Sequence, residues 1–407
     1  MPWPSDVRRS CRPLLAAIVA TVVVAPAGAE QLPPCATPAA DADWAVSTPA
    51  DAGFDARALC ALLEAVATGK RNIHAVLVER RGRLVAELYR SGRDSPIDVL
   101  YGLGNPFAPD VRFGVDVLHD VRSVSKSVVG LLVGIALHDG RIASLSTPAL
   151  DAFPELADLR TSGRHAITIE HLLTMSSGLD WDEWDAGPLT SDETRLLWKS
   201  DLVRFVFDRP LVAAPGSRFN YNGGGTATVA ELLTRASDRS LPELAREQIL
   251  APLGITRWTW ATDLHDRPLA FAGLRLRPRD MLKLGRLVLG RGRWRERQVV
   301  PEAWIDESLR PHAATGITLA GVAPEGAHYG YHWWTGRLAW RDRELAWGAA
   351  FGNGGQRILV VPDLDLGVVT TAGDYGSIDT AIAVNRLLAQ IVATVADEPG
   401  AGGDGPP

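Results

Sequence analysis

Strand-forming sequence lies towards the two ends of this 407-residue chain and is almost missing between them. Ile73 to Val78 and Leu84 to Tyr89 run apolar or alternate around Arg80-Arg81-Gly82, which reads as a hairpin. Far downstream, Tyr329 to Thr335, Arg343 to Trp347, Gln356 to Val361 and Leu366 to Thr371 are short apolar or aromatic runs parted by turn residues. Helical spacing frames both groups. Phe54 to Thr68 carries Leu59, Leu62, Leu63 and Val66 on one stripe, and Ser377 to Ala396 closes the periodic sequence. A further helix is predicted from about Ser123 to His138, with Val124, Val128, Leu131 and Ile135 on one face and a stop at Asp139-Gly140. From about 145 to 312, helical stretches alternate with loops rich in Gly, Pro and Trp. The simplest fold is therefore α/β (α+β), with early and late strands in one antiparallel sheet flanked by terminal helices and a large all-helical lobe inserted. One domain is predicted over 51–396, its α/β lobe at about 51–140 and 313–396 and its helical lobe at about 141–312. A small-molecule cleft is expected where the lobes meet.

The first 29 residues read as an export signal. Arg8, Arg9 and Arg12 give a positive start, Pro13 to Val24 is an apolar run short for a membrane span, and Ala27-Gly28-Ala29 offers a small-residue cleavage site. The protein is thus expected to be periplasmic or secreted and free of the membrane after cleavage, a retained anchor being the alternative. Residues 30–50, rich in Pro and Ala, read as a linker, and 397–407 as a disordered tail.

A net charge of −6 with scattered acidic groups gives no electrostatic grip on nucleic acid. Cys11 leaves with the signal, so Cys35 and Cys60 remain and can pair in an oxidising compartment. No CxxC, HExxH or helical His/carboxylate cluster occurs, so neither a metal nor another cofactor is expected. His328 and His332, four apart, enclose Tyr329-Gly330-Tyr331 and read as unrelated loop or strand residues.

Only four of the 42 basic residues are lysines: Lys70, Lys126, Lys199 and Lys283. Lys126 stands three residues after Ser123 at the start of the predicted 123–138 helix, on the same face. A neutral lysine there can serve as base towards a serine nucleophile, and the helix N-terminus favours negative charge beside Ser123. Ser-x-x-Lys alone is a weak signal, with a chance of roughly one in five of arising in a chain of this composition. Ser123 as a helix cap and Lys126 as a solvated first-turn residue is the structural alternative. The company of the motif decides. Pro215 to Gly225 supplies Tyr221 in a glycine-rich turn before a helix, and Phe351-Gly352-Asn353-Gly354-Gly355-Gln356 enters a strand whose backbone can approach a ligand closely.

With these segments in order, the sequence resembles the serine β-lactamase and penicillin-binding-protein-like hydrolases, in the class C branch with its esterases and amidases. The resemblance spans roughly 45–395. It rests on Arg122-Ser-Val-Ser-Lys-Ser127, His171-Leu-Leu-Thr-Met-Ser-Ser-Gly-Leu179, the Pro215–Gly225 segment, Pro278-Arg-Asp-Met-Leu-Lys-Leu-Gly285, Tyr329-Gly-Tyr-His-Trp-Trp334 and Gly352-Asn-Gly-Gly-Gln356. Met175 to Glu183 and Tyr221-Asn-Gly-Gly are similar in wording to the 6-aminohexanoate-dimer hydrolase subgroup. The resemblance implies Ser123 as the acylated nucleophile, Lys126 as its activating partner and Tyr221 as a carrier of the proton to the leaving group. It implies an oxyanion hole from the Ser123 N–H and one N–H of the glycine strand, that of Asn353 in preference to Gly352.

Two departures from the β-lactamase pattern follow. Tyr221-Asn222-Gly223 stands where Tyr-x-Asn is expected, so the carboxamide that would contact Lys126 and a substrate carbonyl is either missing from its place or shifted by one, to Asn222. Ala350-Phe351-Gly352 stands where a cation-bearing strand is expected, which removes the partner of a β-lactam carboxylate. The expected activity is hydrolysis of a small ester, amide or peptide-like substrate. A D-alanyl-D-alanine carboxypeptidase or weak β-lactamase is the second reading, and a non-catalytic binder of cell-wall fragments or structural relative the third. Asn222, Trp181 and Asp192 are candidates for substrate binding, and Trp181, Trp184 and Trp198 either line the cleft or pack as ordinary aromatics. His171 reads as structural.

Overall fold

The structure, a computed structural model, describes residues 35–97, 108–183 and 190–396, all within the unit Gln31–Pro407. The predicted signal and tail, and Trp184, lie outside the described residues. Nine strands form the main sheet: β1 (Ala45–Val46), β2 (Ile73–Arg80), β3 (Arg83–Tyr89), β4 (Ala313–Ala314), β5 (His328–Tyr329), β6 (Trp334–Trp340), β7 (Arg343–Gly352), β8 (Gln356–Val361) and β9 (Leu366–Ala372). Their spatial order is β1-β3-β2-β9-β8-β7-β6-β5-β4, so the early hairpin joins the late strands through β2 and β9, with Val78 opposite Val368. Every pairing is antiparallel except that of β1 with β3.

Both faces of the sheet are covered. The period of two in β8 sends Leu359 and Val361 to a core shared with α1 (Ala56–Thr68) and the C-terminal helix, and Ile358 and Val360 to the other core. Asp55 caps α1 by accepting the Ala58 N–H at 3.0 Å. Leu59 and Leu63 are fully buried, each contributing roughly 1.5–3 kcal/mol. On the opposite face lies α2 (Val124–His138), buried on every side from Val124 to Ala136. Its Gly130 and Gly134 allow the Tyr331 backbone and the Trp304 ring to approach, since a Cβ would lie 3.0 Å from the Tyr331 carbonyl and 2.2 Å from the ring. α3 (Gly223–Ser237) follows in the inserted lobe, then α4 (Pro278–Leu289) and α5 (Ile378–Ala393).

Four features differ from the sequence reading. Within the segment read as a linker, Ala45–Val46 adds a strand and Trp44 is buried, because two residues are too few to show a period. The inserted block is not all helical. Its Thr259–Trp260 and Leu274–Leu276 pair in a small sheet with His119–Asp120, just ahead of Ser123. α4 packs on the main sheet, where a Cβ on Gly285 would lie 3.0 Å from Ile358. The run from Tyr329 to Thr335 breaks at His332, whose φ is +58°, and so forms two strands. Cys35 and Cys60 are joined in a disulfide that ties the N-terminal segment to α1.

Candidate active site

Ser123 sits at the start of α2 and its side chain makes no capping bond, so the hydroxyl is available to other partners. The chain reaches it through Arg122, which adopts φ +49°, a conformation uncommon outside glycine. Arg122 is held there on three sides. Its N–H donates to Asp120 Oδ1 at 3.1 Å, its guanidinium donates to the Ser95 carbonyl at 2.8 Å, and the same group lies 3.9 Å from the Tyr375 ring centre.

One turn into α2, buried Lys126 donates from Nζ to Ser123 Oγ at 3.0 Å and to the Phe271 carbonyl at 3.2 Å. Tyr221, in the turn before α3, is hydrogen-bonded to the side chains of Ser123 and Tyr329. Lys126 Nζ stands 4.7 Å from the Tyr221 ring centre. Structure thus brings Ser123, Lys126 and Tyr221 together from α2 and the α3 turn. Trp334 stacks on Tyr221 at 5.8 Å, Tyr329 meets it edge-on at 6.0 Å, and Phe351 stacks on Trp334, giving that side an aromatic wall.

Two carboxylates that sequence reasoning missed complete the cluster. Glu183 Oε1 lies 3.6 Å and Glu193 Oε1 3.5 Å from Lys126 Nζ. Glu183 Oε2 accepts the Gly223 N–H at 2.7 Å, at the N-terminus of α3, and the Trp181 indole N–H at 3.1 Å. The glycines opening α3 make room for this. A Cβ on Gly223 would sit 3.0 Å from Glu193 and 3.2 Å from Glu183, and one on Gly224 2.6 Å from Trp181. Burial, and then the charge of Glu193, hold the Glu183 carboxyl well above the usual carboxylate range, against the pull of Lys126. Tyr221 is likewise held far up, by burial first and then by Glu183. Glu183 and Tyr329 both stand inside motif segments already singled out, and Glu193 directly follows Asp192. The signals were present, but nothing in the spacing pointed them at Lys126.

The other candidates take different places. Asp192 is paired with Arg209 at 2.9 Å and Arg195 at 3.1 Å, so it braces the lobe and leaves the approach to Lys126 to Glu193. The Asn222 carboxamide oxygen caps α3 by accepting the Gly225 N–H at 2.9 Å, while its buried Nδ2 has no hydrogen-bond partner among the described residues. Trp181 is buried and acts on the cluster through Glu183, and Trp198 is 44% exposed. Gly352 ends β7 against the turn leading into Ser123, where a Cβ would lie 2.3 Å from the Val121 carbonyl. The Asn353 carboxamide oxygen accepts the Gly376 N–H at 2.6 Å. His171 forms a reciprocal cap with Thr168. His332 bridges the Lys126 carbonyl and Thr226, and burial followed by the Lys126 charge pushes it down to about 3, so it is neutral. Among the described residues, no group of three or more His, Cys, Asp or Glu side chains could hold a metal ion.

An α/β fold with a serine at a helix start and a lysine one turn on is that of a serine hydrolase. The Beta-lactamase family matches residues 63–393, and the chain belongs to that family. It is 26% identical over 276 residues to the 6-aminohexanoate-dimer hydrolase of Paenarthrobacter ureafaciens, a match spanning 64% of each chain. The chain thus covers under two thirds of that relative's length. Among solved structures, EstCE1, a hydrolase with promiscuous acyltransferase activity, matches at TM-score 0.61 and 19% identity over 86% of this chain and all of that one. A penicillin-binding protein homologue from Caulobacter crescentus matches at TM-score 0.60 and 15% identity, over 81% and 95%.

Proposed function

We propose that the protein is an exported hydrolase, periplasmic or secreted, that cleaves a small ester or amide through an acyl-enzyme on Ser123. The observation that carries this is the hydrogen-bonded path from Lys126 Nζ through the Ser123 hydroxyl to Tyr221. Ser123 Oγ bonds to the substrate carbonyl carbon and its proton passes into the Tyr221–Lys126 pair. The carbonyl carbon's bond to the leaving oxygen or nitrogen then breaks, and the pair returns the proton to that atom. Water attacks the acyl-enzyme by the same route and releases the acid. Burial and Glu183 disfavour a free tyrosinate, so the acceptor the step requires is the uncharged amine of Lys126, with Tyr221 relaying the proton through its own hydroxyl. The Ser123 and Asn353 N–H groups would hold the oxyanion.

Substrate preference follows from what lines the site. Ala350-Phe351-Gly352 carries no cation where the β-lactamase pattern has one, and Phe351 instead stacks on Trp334, which favours uncharged acyl groups. The relative named 6-aminohexanoate-dimer hydrolase supports amides alongside esters. Export is supported by the basic and apolar N-terminal segment and by the Cys35–Cys60 disulfide, which persists in oxidising compartments.

The test is mass spectrometry of the intact protein after exposure to a fluorophosphonate and, separately, to a labelled penicillin, with Ser123→Ala as control. A fluorophosphonate adduct lost in the variant supports the proposal. A wild type unreactive to both reagents overturns it.

A further inference from the structure

Arg357, the second residue of β8, is buried to 5% exposure, and among the described residues no carboxylate lies within 4.0 Å of it. Its partners are all neutral. Nη1 donates to the carbonyls of Gly352 at 2.8 Å and Gln356 at 2.9 Å, Nε donates to Asn385 Oδ1 at 3.1 Å, and the guanidinium lies 4.3 Å from the Phe351 ring centre. A buried cation without a counter-ion is costly, and an apolar side chain of similar volume would often serve packing as well. The charge therefore needs a use, and the Gly352 carbonyl supplies one. It belongs to the same planar peptide as the Asn353 N–H, so fixing the oxygen fixes the direction of the N–H on the other side. A charge-assisted bond to that oxygen also polarises the amide and makes its N–H a stronger donor. Gly352 abuts Val121 and Arg122, the residues leading into Ser123, so this peptide lies at the nucleophile's turn.

We propose that Arg357 is a positioning residue for the oxyanion hole, clamping and polarising the Gly352–Asn353 peptide from behind. This rests on the acyl-enzyme reading above. The remaining contacts of the hairpin turn fit the same purpose. Gln356 Nε2 reaches the Asn353 carbonyl at 3.4 Å, and the Gly376 N–H holds the Asn353 carboxamide at 2.6 Å, so the peptide after the clamped one is also restrained. The Arg357 charge is further coupled to Tyr221, whose anion it would favour.

The experiment compares wild type, Arg357→Met and Arg357→Lys for turnover of a p-nitrophenyl ester, thermal midpoint, and fluorophosphonate adduct on Ser123. The Met variant keeps bulk and loses the charge. Its kcat should fall by about 30-fold, short of the roughly 10²–10³-fold seen when a donor itself is deleted, with KM changed less than about threefold. The Lys variant keeps the charge without the forked geometry and should recover part of that loss. Wild-type kcat in either folded variant overturns the proposal. So does a loss of activity matched by an equal loss of folded protein, or failure of both variants to fold, since Arg357 then serves folding alone. Absence of any Ser123 adduct in wild type, with the fluorophosphonate and with labelled penicillin alike, overturns the acyl-enzyme reading itself, and this inference with it.

Discussion

Glu183 lies 3.6 Å from Lys126, so the amine that touches the Ser123 hydroxyl also faces a buried carboxyl held by a helix N-terminus and an indole. That carboxyl is held above its ordinary range, by burial first and Glu193 second, so it gains its charge as the pH rises past the usual carboxylate region. Once ionised, it disfavours negative charge on Tyr221 and, by the same field, on the attacking Ser123 oxygen. Activity should therefore show an alkaline decline that belongs to Glu183. In Glu183→Gln the side chain stays neutral, and kcat/KM measured from acid to alkaline pH should lose that limb. Superimposable profiles for the two proteins would show that Glu183 has no electrostatic part in turnover.

Lys126→Arg tests the proton role of the amine itself. Arginine keeps a positive charge facing Glu183 and Glu193 but does not release its proton, so a site that only needed a cation would still work. The expectation is a fall in kcat of about 10²–10⁴-fold, the range for losing a general acid–base group. Lys126→Met, which is less bulky, serves as a check that the fall is not a packing effect, with thermal midpoints recorded for both variants. Near-normal turnover in the Arg variant would remove proton transfer from the account of Lys126.

Much of this arrangement was legible beforehand because it depends on local pattern. The Leu59, Leu63 and Val66 stripe, the hairpin around Arg81-Gly82 and the apolar run after Ser123 each fold as their periods require. Ser123 and Lys126 share a helix, so spacing alone predicts their contact. Glu183, Glu193 and Tyr329 meet that pair only after a loop, a short helix and a strand distant in sequence from α2 pack together, and no period encodes such a meeting. The same limit explains α4. Its amphipathic stripe shows that Leu284 and Gly285 must be covered, but not that the cover is the sheet rather than the inserted lobe. Asp192 stands beside Glu193 in sequence, but Arg195 and Arg209 pair with it in the fold, a meeting that its neighbours in sequence do not encode.

The fit of β7 against the nucleophile's turn has a steric test. A methyl group at position 352 would approach the Val121 carbonyl to 2.3 Å and Arg122 Cβ to 3.1 Å, and the first of these is backbone that cannot rotate away. Gly352→Ala should therefore push the strand from Ser123. Overpacking of this kind costs about 1–3 kcal/mol in stability, and kcat should suffer more than the thermal midpoint because the Asn353 N–H, the donor proposed above for the oxyanion, moves with the strand. Turnover and melting measured on the same preparation decide it. An alanine variant with unchanged kcat would mean that the strand and the turn are not fitted to each other for catalysis.

Away from the site, Glu79 makes stability depend on pH with a definite sign. It is wholly buried on β2, its Oε1 has no hydrogen-bond partner and its Oε2 accepts the Gly82 N–H at 3.1 Å. Burial pushes its carboxyl up to about 8, with Arg286 at 3.6 Å opposing the shift. In the unfolded chain the same group titrates near 4.3, so between these values the folded state keeps a proton that the unfolded state has lost. Its stabilising contribution is complete below the unfolded value and declines as pH rises through the folded one, by up to about 1.4 kcal/mol per pH unit. Glu79→Gln carries no such proton. Thermal midpoints of wild type should fall between pH 5 and pH 8 more steeply than those of the variant, and the variant should be the more stable protein at the alkaline end. Parallel curves would show that the carboxyl is solvated or paired more fully than its surroundings imply.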